Sequence, residues 1–373
     1  LVSLLIVQED IEAIYSLMSR ERDPVFSLEI LPYYALFVNE CQNCMGINEI
    51  PDNIALQIKD IRNYIKAYTN GYGKTSSKIK RADIMQDEAF RRELKFDFPK
   101  SWTMHLNMGT YWTENKKIIG NTQHIAAYLD IDDVFAKDVG IKQRELGYQI
   151  GVFINSIRNG FSKAIPSPNS HRTENTVSIT KYFDLNTNKE NKFFIDNVSK
   201  ELNLLYVHLL CNMNFVRCIL RSLFTDNSTW LFRIEYVVTC YTYLSLKDLK
   251  NHCDNNDDIS LEKSKIEEIL EFGKPLFQSK FRNCMMHYNL VGYDVLSREY
   301  IDCPFYGMVE TCFGGKPYHS YLNELRSLSD MIIEPANDYI YHRLSSDMVK
   351  EVIDNIEPNR IKDVKNHKGK DAD

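Results

Sequence analysis

The stretch that most limits how this chain can fold is residues 193–224, where Leu202, Leu204, Leu205, Leu209, Leu210, Phe215, Ile219, Leu220 and Phe224 put apolar groups almost all round a helix. A helix that is apolar on every side has to be wrapped by other elements, because one neighbour covers only one face. This helix is therefore expected at the centre of the fold. No apolar run approaches the roughly 18 residues needed to cross a bilayer, so no membrane partner is expected. Asn214, Arg217 and Arg221 share one stripe of this helix. A charge on an enclosed helix needs a partner or water; these two arginines either pair, with Glu235 as a candidate, or flank a site and hold phosphates.

Around this element the pattern is helical nearly throughout. Apolar residues recur at helical spacing from Gln8 to Arg22 and from Ser27 to Cys44, punctuated by Pro24 and Gly46. Pro51 opens a third helix with Ile54, Ile58, Ile61 and Ile65 on one face. Lys74, Lys78, Lys80 and Arg81 stand among Ser and Thr and read as a basic loop, while residues 101–120 suit a small hairpin or an irregular connection. Leu146, Ile150, Phe153 and Ile157 mark another helix, which carries Arg158-Asn159 but Lys163 where a His would repeat the motif described below. Pro, Ser and Asn without apolar residues over 166–175 mark a boundary. The expected division is a helical domain over 1–165, a linker over 166–190, a second helical domain over 191–345 and a charged tail over 346–373.

In the second half, Asp226-Asn-Ser-Thr229 is rich in N-cap residues, and Trp230, Ile234, Val237, Tyr241 and Leu244 follow at helical spacing. The β-branched and aromatic content of 232–246 would also suit a strand; the cap and the length favour helix. A helix over 260–272 comes next, then the motif helix, an insertion over 294–318 containing Gly and Pro, and a closing helix or pair of helices marked by Tyr321, Leu325, Leu328, Ile332 and Tyr339.

The motif helix is expected over 275–291. Pro275 suits a first helical position. Phe277, Phe281, Cys284, Tyr288 and Val291 would form its core face, and Leu276, Asn283, His287 and Leu290 a second stripe for a helix contact. Between Phe272 and Tyr293 there is no acidic residue, whereas Lys274, Lys280 and Arg282 are present in a chain of net charge −6. A guanidinium binds phosphate through paired hydrogen bonds, and an imidazole can take and return a proton near neutrality. Arg282 and His287 lie roughly 140° apart round one helix, at about 100° per residue, so a second copy crossing this one would have to bring them together.

At Arg282, Asn283 and His287 the sequence resembles the HEPN family of helical domains, whose signature is an Arg, four to six residues and a His, often with Asn after the Arg. The resemblance implies a mostly α protein with a C-terminal antiparallel four-helix bundle. It also implies a metal-independent endoribonuclease without cofactors, acting as a homodimer through the 275–291 helix, in toxin–antitoxin or antiviral defence with a possible antitoxin or activator protein. Arg282, Asn283 and His287 would be catalytic; Lys280, Arg217 and Arg221 would bind RNA. Arg360 and His367 match the bare spacing too, but in a charged tail, so helix context and local charge carry the resemblance. Other members bind RNA or dimerise without cutting.

A DNA-binding regulator is the remaining alternative, from a helix-turn-helix look over 122–139 at Ala126, Leu129 and Ile131; Asp130, Asp132 and Asp133 in its turn would repel DNA. Those Asp residues could otherwise hold Mg²⁺ or cap a helix. Cys41 and Cys44 lack a second pair at zinc spacing, and nine cysteines with no export signal suit a reducing cytoplasm. The opening apolar stretch has no basic lead-in and reads as a strand or a helix start. A pI near 5.9 confines any RNA contact to a local patch.

Overall fold

The computed structural model describes residues 2–93, 107–130, 139–163, 169–177, 181–185, 187, 199–253, 263–288, 290, 300 and 302–344. The chain is mostly helical. The elements are α1 (Val2–Arg20), α2 (Pro24–Glu29), α3 (Leu31–Met45), α4 (Asp52–Tyr64), α5 (Tyr72–Glu93), β1 (Met108–Trp112), β2 (Ile118–Asn121), α6 (Thr122–Leu129), α7 (Val139–Ser162), β3 (Lys181–Leu185), α8 (Lys200–Asn214), α9 (Arg221–Leu223), α10 (Thr229–Cys253), α11 (Lys263–Gly273), α12 (Ser279–Met286), α13 (Met308–Cys312) and α14 (Tyr318–Leu344). A π-helical turn, Phe215–Leu220, joins α8 to α9. The apolar helix is central as expected: Leu202, Leu204, Leu205, Leu210, Phe215 and Leu220 are all buried. It is the one helix among the described residues long and apolar enough to cross a membrane, and 78% of its most apolar window is buried against the rest of the chain.

One apolar core runs from Val2 on α1 to Ile333 on α14 without a break at 166–190. α1 packs on both α7 and α10, so elements on either side of the expected boundary share it. Part of that expected linker is itself structured. β3 pairs antiparallel with β1, Thr110 opposite Phe183, and β1 pairs with β2 in the hairpin expected within 101–120, giving the order β2-β1-β3.

The basic segment 74–82 is not a loop but the first half of α5. Its inward face is Thr75, Ile79, Asp83, Gln86 and Phe90, spaced like a helix but mostly polar, so a search for apolar periodicity passes over it. Asp83 secures that face: Gln123 Nε2 donates to it at 2.8 Å and Thr187 Oγ1 at 3.0 Å, and Lys200 pairs with it. α6 covers only the first half of the helix-turn-helix candidate. Gln123, His124, Ile125, Ala126, Tyr128 and Leu129 on it are buried, which leaves it no face to enter a groove. Asp130 caps its end in the left-handed region, and Ile131, Asp132 and Asp133 lie outside the described residues.

The contested 232–246 segment is helix, inside α10. Its buried Arg233 organises the C-terminal part of the fold. Arg233 Nε donates to Asp10 Oδ2 of α1 at 3.0 Å, and Nη1 donates to the backbone carbonyls of Cys284 at 3.0 Å and Met285 at 2.8 Å. Those two carbonyls would accept bonds from residues 288 and 289 if α12 continued. Arg233 takes them instead, and the helix stops. Tyr288 then turns inward, its hydroxyl donating to Asp10 Oδ2 at 2.5 Å and its ring lying 4.3 Å from Arg233 Cζ. The N-terminal end is also shorter than expected: Lys274–Leu276 is a single 3₁₀ turn, separated from α12 by non-helical Phe277.

Removing one partner of a buried ion pair costs about 3–5 kcal/mol, because the other charge is left uncompensated. Arg233→Met is expected to lose stability on that scale in urea unfolding near neutral pH. It should also speed amide exchange at His287, whose N–H closes the last turn of α12 on Asn283 O.

Candidate functional site

The residues singled out on 275–291 separate by burial. Phe281, Cys284 and Tyr288 of the expected core face are buried, whereas Lys280, Asn283 and His287 are exposed and Arg282 is half-buried. His287 is not on the helix. It follows Met286 with φ −134° and ψ 147°, extended backbone, so Asn283 and His287 do not form the one-turn-apart pair that a continuous helix would give.

The extended backbone swings His287 toward α3. Its Nδ1 lies 2.6 Å from Glu40 Oε2. The other oxygen, Glu40 Oε1, accepts from Arg62 Nε and Nη2 of α4, both at 2.8 Å, and from Asn39 Nδ2 at 2.9 Å. Arg62 Nη1 also donates to Asn63 Oδ1 at 3.1 Å. Glu40 and Arg62 are buried, their side chains 5% and 8% exposed, while the His287 side chain is 48% exposed. A carboxylate bound at Nδ1 orients the ring and leaves Nε2 as the nitrogen open to a reacting group. Burial alone would raise the Glu40 carboxyl. The hydrogen bond with His287, the charge of Arg62 and the Asn39 bond outweigh it and hold the carboxyl below its ordinary range.

Tyr241 on α10 ties Arg282 to this cluster. Burial and the neighbouring Cys240 raise its phenol, Arg282 and Arg62 act in the opposite direction, and Glu40 raises it further. Arg282, Arg62 and Glu40 therefore all act electrostatically on one phenol. Among the described residues the Arg282 guanidinium has no carboxylate partner, unlike Arg62. The cluster thus presents one free guanidinium, one anchored guanidinium and one oriented imidazole, with Lys280 and Asn283 exposed on α12.

Arg217 and Arg221 are not part of it. Arg217 pairs with Asp330 and Glu334 of α14, and Arg221 Nε donates to Glu235 Oε1 at 2.7 Å. Glu235 of α10 is shared with Arg326 of α14 at 3.0 Å, so the candidate pairing is realised for Arg221, while Arg217 is committed to α14. Arg158 is likewise bound, to both oxygens of Glu12 at 2.9 Å. Glu40 and Arg62 went unread in the sequence. Their signal was a charge on an otherwise apolar helical face, which does not reveal a partner more than two hundred residues away.

Among the described residues no group of three or more His, Cys, Asp or Glu is placed to hold a metal ion, and the eight cysteines with described side chains are free thiols. No protein-family model, curated protein or solved structure matches the chain.

The depressed Glu40 carboxyl has a consequence for acid stability. With the folded value below the ordinary 4.5, its contribution is complete above that value and is lost as pH falls through the folded one. In Glu40→Gln the stability-versus-pH curve should flatten on its acid limb below about pH 4.5, read by thermal unfolding across an acid series; an unchanged limb would place Glu40 outside the interaction.

Proposed function

We propose that the chain is an endoribonuclease of the HEPN type, cutting RNA by attack of a ribose 2′-OH on the adjacent phosphodiester. The observation that carries this reading is the half-exposed His287 bound at Nδ1 by buried Glu40, which Arg62 anchors, with Arg282, which has no carboxylate partner among the described residues, acting with Arg62 and Glu40 on Tyr241. The helix order α8, α10, α11, α12 supports it, as the long pair, shorter helix and motif helix that the resemblance implies.

In this chemistry His287 Nε2 acts as general base toward the 2′-OH or as general acid toward the leaving 5′-oxygen. Proton transfer by one positioned group is worth roughly 10²–10⁴ in rate. Arg282 neutralises the charge that builds on the phosphate, for which a bidentate guanidinium is well shaped. Arg62 is spent on Glu40 and acts through it, as a positioning residue. Asn283 and Lys280 are exposed on α12, where they would meet the sugar–phosphate chain. The product is a 2′,3′-cyclic phosphate. A homodimer would form through the 275–291 segment, each copy adding its Lys280 and Arg282 to the other's cleft. The cellular role would be that of a toxin or antiviral effector held in check, or triggered, by a partner protein.

Purified protein is expected to cut RNA in the presence of EDTA and to leave cyclic phosphate ends. His287→Ala should lower the rate by about 10²–10⁴ and Arg282→Ala by about 10²–10³, both still folded by circular dichroism. Glu40→Gln should cut more slowly with the pH profile displaced. RNA retention without cutting by the wild type would favour the binding-module reading, and equal cutting by His287→Ala would overturn the assignment.

A further inference from the structure

A second feature, apart from His287, lies between α5 and α6. A cavity of about 210 Å³ is bounded by Tyr64 and Tyr68, by Lys78, Arg81 and Met85 of α5, by Ala126, Ala127 and Asp130 of α6 and its end, and by His208 of α8. Its wall is chemically divided. Lys78 and Arg81, one turn apart on α5, are exposed and form no ion pair among the described residues. They place two cations on one rim. The inner wall is aromatic: the Tyr64 and Tyr68 hydroxyls are 2.5 Å apart, and the Tyr68 ring stacks on His208 with an interplanar angle of 5°. Burial pushes the His208 imidazole well below its ordinary value, and nearby His124 pushes the same way. The ring is therefore neutral and adds aromatic surface rather than charge. Ala126 and Ala127 leave the opposite wall open.

Asp130 decides among ligands. It borders the same cavity, at the left-handed end of α6. A bare anion gains from the two cations but is repelled by Asp130. A ligand with an anionic end for Lys78 and Arg81, a planar ring for the tyrosines and ring-edge N–H donors for Asp130 satisfies all three. The volume is below the usual 300–1,000 Å³ of ligand pockets, which limits the enclosed part of a ligand to about a base and its sugar, with a phosphate outside at the rim. From this arrangement we infer that the cavity between α5 and α6 is a binding site for a 5′-mononucleotide, guanosine monophosphate above the others. Guanine carries two parallel N–H donors on one edge, the match for a carboxylate.

The site does not depend on RNA cleavage. α4 nonetheless links the two, since Tyr64 in the cavity wall stands two residues after Arg62, which holds Glu40.

The test is isothermal titration calorimetry of the full chain with guanosine monophosphate, uridine monophosphate, guanosine and inorganic phosphate. Guanosine monophosphate should bind at least tenfold more tightly than uridine monophosphate, guanosine or phosphate. The double variant Lys78→Glu/Arg81→Glu, altered only at exposed positions, should lose binding by tenfold or more, and Ala127→Leu should block it by filling the wall. His287→Ala should bind as the wild type does, which separates this site from the cleft at α12. No mononucleotide binding at millimolar concentration, or binding unchanged in the double variant and in Ala127→Leu, would overturn the proposal; so would phosphate alone binding as tightly as the nucleotide.

Discussion

Asp10 and Arg233 are the interaction on which the rest of the site depends. Both are buried, Asp10 within α1 and Arg233 in the first turns of α10. Two charges leaving water cost several kcal/mol each, and only dense hydrogen bonding offsets it. Asp10 receives Thr229 Oγ1 at 2.7 Å, Arg233 Nε and the Tyr288 hydroxyl, while Arg233 is sandwiched against the Tyr288 and Phe305 rings. Burial works against the guanidinium's charge, but Tyr288 and Asp10 raise its pKa beyond that. One arginine thereby joins α1 to α10, ends α12 after Met286 and fixes the direction in which His287 leaves it.

This explains what could and could not be read in advance. The helices rest on local signals: the Asp23 cap with Pro24 at the start of α2, Gly46 in the left-handed region closing α3, and the Ile54, Ile58, Ile61 stripe of α4. The length of α12 does not. Phe281, Cys284 and Tyr288 keep helical spacing and are all buried, yet Tyr288 reaches the core from outside the helix. The periodicity survived the end of the helix because the same core attracts the side chain either way. What ended the helix was a donor 51 and 52 residues before the two carbonyls it takes, and no window over 275–291 contains it.

The same limit applies to Glu40 and Arg62. Each interrupts an apolar pattern, as do Asp10, Arg233 and Glu235, and every one of these five is buried in a charge pair. A charge at a core-facing helical position is thus a strong indicator of burial with a partner. It does not name the partner, because helical spacing carries no information about which helices meet. Arg217 and Arg221 show the other side of this rule. Their charges also sat on an enclosed helix, and acidic residues of α10 and α14 claimed them.

Among the described residues Arg282 differs from all of these arginines in lacking a carboxylate partner. A guanidinium already paired can bind phosphate only after giving up its partner, at the cost of a buried carboxylate left alone. Arg62, Arg221 and Arg233 are in that position. Among the described residues Arg282 is not, and it acts electrostatically on Tyr241 together with Glu40 and Arg62. The segment from Phe272 to Tyr293 holds no acidic residue, and among the described residues no acid from elsewhere in the chain pairs with Arg282, while the orientation of the His287 imidazole is fixed from the other half of the chain.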